Sequence, residues 1–317
     1  MRRRALALVL ALSAWVLGTA LGSLGGGAAA AGASAGILMG AAHAGYTPSL
    51  SGSKPIVILA IGSGARPGDN VLHSLSDSIH LLYLNPRKHA ATVVGIPRDS
   101  FVPIPGYGTN KINAAMGYGG PELLVKTIEQ LTGAHIDYWA LTTFWGITDM
   151  IDQVGGLKID VPFPMSDPYS RADFKPGVQV LNGKQVLAFS RDRHSLLSGD
   201  FGRSEDGGRV IVAALAQFRT AYAKDQTALY AWLGAGLKNM DVSPGLSLSE
   251  ITALAYTADH IPGRDVTNVV LPGSTGMTGG LSVVYPDMTW VHRMFGDLAP
   301  DGILSKRNVP RSPTAGQ

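Results

Sequence analysis

The chain has 317 residues, 45% apolar and 15% charged. That is long enough for one large or two small domains, and too apolar in its body for disorder. It contains no cysteine, which excludes disulfides, thiolate metal sites and cysteine nucleophiles and fits an exported domain. The formal charge of +3 belongs to the ends: with Arg2–Arg4 and the tail cations Lys306, Arg307 and Arg311 (beside Asp301) set aside, 20 basic face 22 acidic residues. A body of net charge −2 excludes a nucleic-acid-binding surface.

In chain order, residues 1–4 bring three arginines ahead of residues 5–24, a run of 20 without charge. As a helix such a run spans about 30 Å, the thickness of a bilayer core. Arginines before it and none just after it predict a single-pass cell-membrane anchor, N-terminus inside and main domain extracytoplasmic. A cleavable signal peptide ending at Ala42-His43-Ala44 is the rival; the apolar run exceeds a usual signal core, which favours the anchor. Residues 25–52, rich in glycine and alanine, read as a flexible tether. The main domain is expected over 53–300, with 301–317 as a disordered tail.

Residues 55–62 form a continuous apolar run bounded by proline and glycine, the pattern of a strand buried on both faces. They empty into a glycine-rich loop over 63–70. Residues 78–85 and 91–96 predict an antiparallel hairpin around the turn at 85–89. Residues 103–108 read as a loop, 121–131 as a helix with proline in its first turn, and 143–154 as a second helix ended by Gly155-Gly156. A short strand follows at 157–161, a loop at 171–177 and a turn at Asn182-Gly183. Helices are expected over 209–223, 227–238, 248–259 and 288–298, and a late strand over 266–271. Together these predict an α/β fold, a mixed central sheet flanked by helices on both faces.

The densest chemistry lies in Arg191-Asp192-Arg193-His194 and Gly199-Asp200-Phe201-Gly202-Arg203. On an extended segment Arg191 and Arg193 project from one face, with Asp192 opposite, and each guanidinium can grip two phosphate oxygens. An ordinary charged edge strand explains such a triplet equally well. Polar groups at strand ends and in the loops after them add Arg66, Asp77, Arg98, Asp99 and Lys111. Five arginines and a lysine among carboxylates suit a pyrophosphate clamp with room for Mg²⁺ (or Mn²⁺), which takes hard oxygen ligands from one or two carboxylates and substrate phosphates. Ion pairs within loops are the alternative. No P-loop and no nucleophile elbow occurs, and the eight histidines lack zinc-ligand spacing. His80 reads as a core residue; His194, beside the arginine pair, is the histidine kept as a candidate. Trp139, Phe144 and Trp145 read as packing, or as the lining of a lipid pocket.

These stretches, taken in order, resemble the LytR-CpsA-Psr family. The matching residues are 58–62 with Arg66, Ser76-Asp77-Ser78-Ile79, Ile96-Pro97-Arg98-Asp99-Ser100 and Ile104-Pro105-Gly106-Tyr107-Gly108. Lys111-Ile112-Asn113-Ala114-Ala115, Gly119-Gly120-Pro121-Glu122, Leu181-Asn182-Gly183 and the arginine stretch complete the set, over roughly residues 54–220. The resemblance implies a membrane-anchored enzyme that moves a glycopolymer (teichoic-acid-, capsule- or arabinogalactan-like) from undecaprenyl pyrophosphate onto a peptidoglycan hydroxyl, releasing undecaprenyl phosphate. It implies Asp77 as the Mg²⁺ ligand, with Asp69 a further candidate, and Arg66, Arg98, Arg191, Arg193 and Arg203 on the pyrophosphate. It also places Asp99 and Lys111 in the catalytic set and the prenyl chain in an apolar tunnel. Two departures stand out. Gly64 occupies a position where the family usually supplies a second metal carboxylate, and Asp206-Gly207-Gly208 replace an arginine and a glutamine pair. A non-catalytic lipid-pyrophosphate-binding scaffold and a pyrophosphohydrolase of lipid-linked glycans are the alternatives.

Overall fold

The computed structural model describes residues 37–43, 54–225, 227, 240–242, 261 and 266–315. Its fifteen described strands are β1 (Ile37–Ala41), β2 (Ile56–Ser63), β3 (Ser76–Asn85), β4 (Ala90–Gly95), β5 (Phe101–Ile104), β6 (Gly108–Lys111), β7 (Tyr138–Thr143), β8 (Leu157–Val161), β9 (Met165–Asp167), β10 (Ala172–Phe174), β11 (Gly177–Leu181), β12 (Met240–Val242), β13 (Val266–Val270), β14 (Gly273–Thr278) and β15 (Leu281–Pro286). Seven of them form one sheet in the order β12-β1-β7-β2-β3-β4-β13. The sheet is mixed. β2 runs parallel to β7 and antiparallel to β3, β3 antiparallel to β4, and β4 parallel to β13. The carboxyl ends of β2, β4, β7 and β13 therefore share one end of the sheet, where α/β folds place ligands.

The pleat decides what covers each face. Leu59, Ile61, Ile79, Leu81 and Val94 face a core closed by Leu124 and Ile128 of helix α1 (Asn113–Thr132) and, from later in the chain, by Val291 and Phe295. On the other face His80 Nε2 meets the Ser204 carbonyl at 2.9 Å, and Asn268 Nδ2 donates to the Glu205 carbonyl at 3.0 Å. A second apolar cluster, including Ile151, Leu157, Phe174 and Phe189, joins α2 (Phe144–Gln153), the β8–β11 and β9–β10 hairpins, α3 (Gly183–Arg191) and Val210 of α4 (Asp200–Lys224). The residues that close the first core from the C-terminal side belong to α5 (Met288–Leu298), capped by Asp287.

The buried strand at 55–62 and the 78–96 hairpin form as the sequence predicts. The helix expected over 121–131 is the second half of α1. Gly119 and Gly120 leave helical geometry, Gly120 at φ +70°, and Pro121 restarts the helix. Asn182-Gly183 is not a free turn. Asn182 and Gln185 cap each other's backbone in a capping box that starts α3. Arg191 therefore ends a helix and does not lie on an extended strand, which corrects the reading of an Arg-x-Arg strand face.

Other corrections follow from pairing at a distance. Part of the expected tether, Ile37–Ala41, pairs with β7 and β12. The expected loop at 171–177 contains β10, and the loop at 103–108 is the tip of the β5–β6 hairpin. The tail read as disordered packs through residue 315: Leu304, Asn308 and Thr314 are buried, and the Glu205 carboxylate accepts hydrogen bonds from the Ser312 and Thr314 hydroxyls. The anchor at 5–24 and the helices expected at 248–259 lie outside the described residues, as does the helix at 227–238 apart from Thr227. Among the described residues no helix is long and apolar enough to cross a membrane.

Candidate functional site

β4 ends at Gly95 and releases Ile96-Pro97-Arg98-Asp99 at the carboxyl end of the sheet, facing the start of β3 and of α4. Proline forbids continuation of the strand ladder there, so the arginine leaves the sheet. Arg98 pairs through Nη1 with Asp77 Oδ1, and its Nε lies 4.0 Å from Asp200 Oδ1. Asp200 Oδ1 also takes Arg203 Nη2 at 2.5 Å, one turn on in α4, while its Oδ2 accepts the Asp99 amide at 3.2 Å. Lys111 of β6 reaches Asp99 Oδ1 at 2.9 Å. Asp200, only 4% exposed, thus links Arg98 to Arg203, and Asp99 and Lys111 brace the arrangement from behind.

The second group of cations enters from α3. The Arg191 guanidinium stacks on the Phe144 ring, 4.6 Å from its centroid. Arg193 donates its amide to Asp167 Oδ2 at 3.3 Å, and His194 Nδ1 sits 3.1 Å from Asp167 Oδ1. Asp192 between the arginines is wholly buried and accepts the Ser195 amide, so it does turn away from the cations' face. Neither Arg191 nor Arg193 has a carboxylate within ion-pair distance among the described residues.

Arg98, Arg191, Arg193 and Arg203, with Asp77, line one cavity of about 430 Å³. Its inner wall is apolar, built by Ile61, Leu141, Ile147, Met150, Leu187 and Ile211 between the two apolar clusters. That volume falls in the range of small-ligand sites. The lining thus combines these apolar side chains with the four guanidinium groups and with other polar groups, His80, Asp167 and His194 among them. Arg66 and Asp69 are not brought in. They sit in an exposed loop where Asp69 Oδ2 accepts the Arg66 amide at 2.7 Å. Asp99 and Lys111 stand behind the wall and do not line it.

The ionisable groups reflect this packing. Burial draws the Arg98 guanidinium down, but the adjacent Asp77 and Asp200 outweigh it and hold Arg98 above its ordinary value. Burial dominates at Arg203 and lowers it despite Asp200. Burial pushes Asp167 up, yet hydrogen bonds from His194 and from the Tyr169 and Arg193 amides leave its carboxyl well below the usual range. Desolvation lowers His80, in the cavity wall, to about 4, so it stands there as a neutral ring. Asp206 does not confront the cavity. It is fully buried, its carboxyl raised by desolvation to about 8, with Arg209 Nε 3.2 Å away.

Gly207 and Gly208 serve close packing. A Cβ at Gly207 would lie 2.7 Å from His80 Cε1, and one at Gly208 2.0 Å from Asn268 Oδ1. Gly64 bears on metal binding in the same way, since a Cβ there would lie 2.9 Å from Asp77 Oδ2. A side chain at 64 would therefore touch the carboxylate of Asp77, which lines the cavity beside Arg98. One such oxygen donor, completed by substrate phosphates and water, fits Mg²⁺.

Phe144, Asp167 and Tyr169 also line the site. Phe144 entered the sequence reading only as packing or pocket lining. Asp167 and Tyr169 were missed, because nothing local marks them: the Asp167 partners Arg193 and His194 lie 26 and 27 positions on.

Curated relatives match about half of the chain in sequence. The probable cell wall biosynthesis protein LcpB of Corynebacterium glutamicum is 41% identical over 157 residues, 46% of this chain and 37% of that protein. The polyisoprenyl-teichoic acid–peptidoglycan teichoic acid transferase TagU of Bacillus subtilis is 32% identical over 164 residues, 51% of this chain and 52% of that protein. The chain thus spans about half or less of the length of these relatives. The solved structure of the LytR-CPS2A-psr family protein YwtF (TagT) with bound octaprenyl pyrophosphate lipid superposes with a TM-score of 0.60 at 20% identity, covering 81% of this chain and 94% of that one, a likeness of fold. The LytR_cpsA_psr family model matches residues 34–298, the sheet and the arginine-lined cavity included, and the chain belongs to that family.

Proposed function

We propose that the chain is a phosphotransferase that moves a glycopolymer from an undecaprenyl-pyrophosphate carrier onto a peptidoglycan hydroxyl. The observation that carries this reading is one cavity lined both by apolar side chains and by four arginines with Asp77. A prenyl chain suits the interior and a pyrophosphate suits the guanidiniums. The TagU relative is named for such a transfer and the TagT structure for such a lipid.

In the reaction the acceptor oxygen attacks the phosphorus nearer the sugar. A new P–O bond forms, the bridging P–O bond breaks, and prenyl phosphate leaves with its electron pair while the hydroxyl proton passes to solvent water. Such transfers depend on positioning and charge neutralisation more than on covalent participation by the protein. Arg191 and Arg193, without carboxylate partners, are suited to bind the incoming oxygens, and Arg98 and Arg203, oriented by Asp200, to meet charge on the leaving group. Asp99 and Lys111 are positioning residues behind Arg98. Mg²⁺ or Mn²⁺ at Asp77 would neutralise pyrophosphate charge when bound. On this reading residues 5–24 anchor the chain in the cell membrane and the described domain faces outward, with membrane and peptidoglycan as its surroundings.

Gly64 favours a second reading, in which the site binds lipid pyrophosphate without turnover, because a glycine beside Asp77 supplies no carboxylate of its own. One experiment separates the two. The full chain in detergent is given a short-chain prenyl-pyrophosphate saccharide and an acceptor glycan, with Mg²⁺ or with chelator, and binding and release of prenyl phosphate are both followed. Metal-dependent release that Asp77→Ala abolishes supports transfer. Tight binding without release supports the second reading. Binding unchanged by Arg98→Ala and Arg191→Ala overturns both.

A further inference from the structure

At the opposite end of the sheet from the cavity, three elements bring two imidazoles and two carboxylates together. His43 follows β1, Glu129 lies in the last turn of α1, and His135 and Asp137 precede β7. His43 Nε2 is 2.9 Å from Glu129 Oε1, and His135 Nδ1 is 3.8 Å from the same oxygen. All three ligand atoms lie within 4.8 Å of one another, the only such group among the described residues. The two rings stack, centroids 4.7 Å apart and 12° from parallel.

We propose that His43, Glu129 and His135 form a binding site for one divalent transition-metal ion of the zinc class. Zinc bonds of about 2.0–2.1 Å set tetrahedral edges near 3.3 Å, which the spacings of 2.9 and 3.8 Å bracket. The donor set is the right one, because imidazole with carboxylate selects zinc, copper or nickel over magnesium. A carboxylate that could orient the ring stands nearby: Asp137 Oδ1 lies 3.9 Å from His135 Nε2, within ion-pair range and beyond a direct hydrogen bond.

Both carboxylates are held by main chain. Glu129 Oε1 accepts the Ile136 amide at 2.9 Å, and Asp137 Oδ2 the Val57 amide at 2.7 Å. The Ala42 amide donates to the Asp137 carbonyl at 2.9 Å and sets the position of His43. With both rings neutral the cluster carries two negative charges, which a dication neutralises. His135 is 56% exposed, so an ion has access and solvent can complete its shell. Occupancy ties the exit of β1 to the end of α1.

The test uses the untagged full chain, stripped with chelator, and titration with Zn²⁺ alone followed by calorimetry and by thermal melting. The expected result is one Zn²⁺ per chain and a raised melting temperature, with Mg²⁺ producing neither. Binding falls by at least about tenfold in His43→Ala and in His135→Ala, the order of loss that even an outer-shell change causes. Both residues are partly exposed, so these variants fold, and circular dichroism verifies it. His194→Ala, in the cavity wall, leaves zinc binding intact. Absence of zinc binding in the wild type overturns the proposal. So does binding that survives in either histidine variant, or that disappears only with His194.

Discussion

Single buried groups decide how this site behaves. Asp200 is one, since losing its carboxylate would leave Arg203 without its ion-pair partner and Arg98 with Asp77 alone. His80 is another, and its effect is measurable. Its ring is buried against α4, neutral, with a pKa of about 4 against an ordinary 6.5. Between those values the unfolded chain holds a proton that the folded chain does not. The stability that His80 contributes is therefore complete above pH 6.5 and is lost as pH falls toward 4. A displacement of that size corresponds to about 3 kcal/mol. Urea titrations of the full chain across this window should show stability falling with acid more steeply in the wild type than in His80→Gln. Parallel curves for the two proteins would mean that the ring is charged, or solvated, in the fold.

At the level of elements, α4 carries both the site's charges and its closest packing. Its first turn supplies Asp200 and Arg203, and the next supplies Ser204, Gly207 and Gly208, spaced to face the sheet. A methyl at Gly207 would meet the His80 ring at 2.7 Å and 3.0 Å. Alanine improves helix propensity by about 1 kcal/mol, but overpacking a rigid core costs about 1–3 kcal/mol. Gly207→Ala should therefore be destabilising by about 1 kcal/mol and should weaken prenyl-pyrophosphate binding, because displacement of α4 carries Arg203 with it. Unchanged melting and unchanged binding would show that the helix has slack.

The same helix shows what the sequence discloses. Its apolar spacing and the arginines at 191, 193, 203 and 98 were readable, because periodicity and clustered guanidiniums are local signals. So were β2, β3 and β4, each a run of apolar residues between turn formers. The use of Gly207 and Gly208 was not readable, since it depends on His80 and Asn268, far away in the chain. The helical placement of Arg191 was carried by Asn182 and Gln185, a capping box that also reads as a turn. Short polar strands such as β10 and β14 have no pattern of their own and exist through their partners.

At the scale of the whole molecule, the tail closes onto the helix that bears the site. Glu205 is 5% exposed, and its carboxylate accepts hydrogen bonds from Ser312 Oγ at 2.6 Å and Thr314 Oγ1 at 2.6 Å, with the Thr314 amide at 3.2 Å. Arg209 Nη2 shares the same group, 3.2 Å from Glu205 Oε1 and 3.0 Å from Thr314 Oγ1. A buried carboxylate stripped of hydroxyl donors bears a desolvation cost of about 1–3 kcal/mol or more. A chain ending at Val309 removes those donors while leaving β2–β7 and α5 intact. It should melt several degrees lower than the full chain and be cleaved sooner by protease within α4. Glu205→Gln, which needs less solvation, should recover part of the loss in the shortened chain while destabilising the full one. That reversal in sign distinguishes a specific latch from general fraying; if the substitution moves both chains in the same direction, the tail does not act through Glu205.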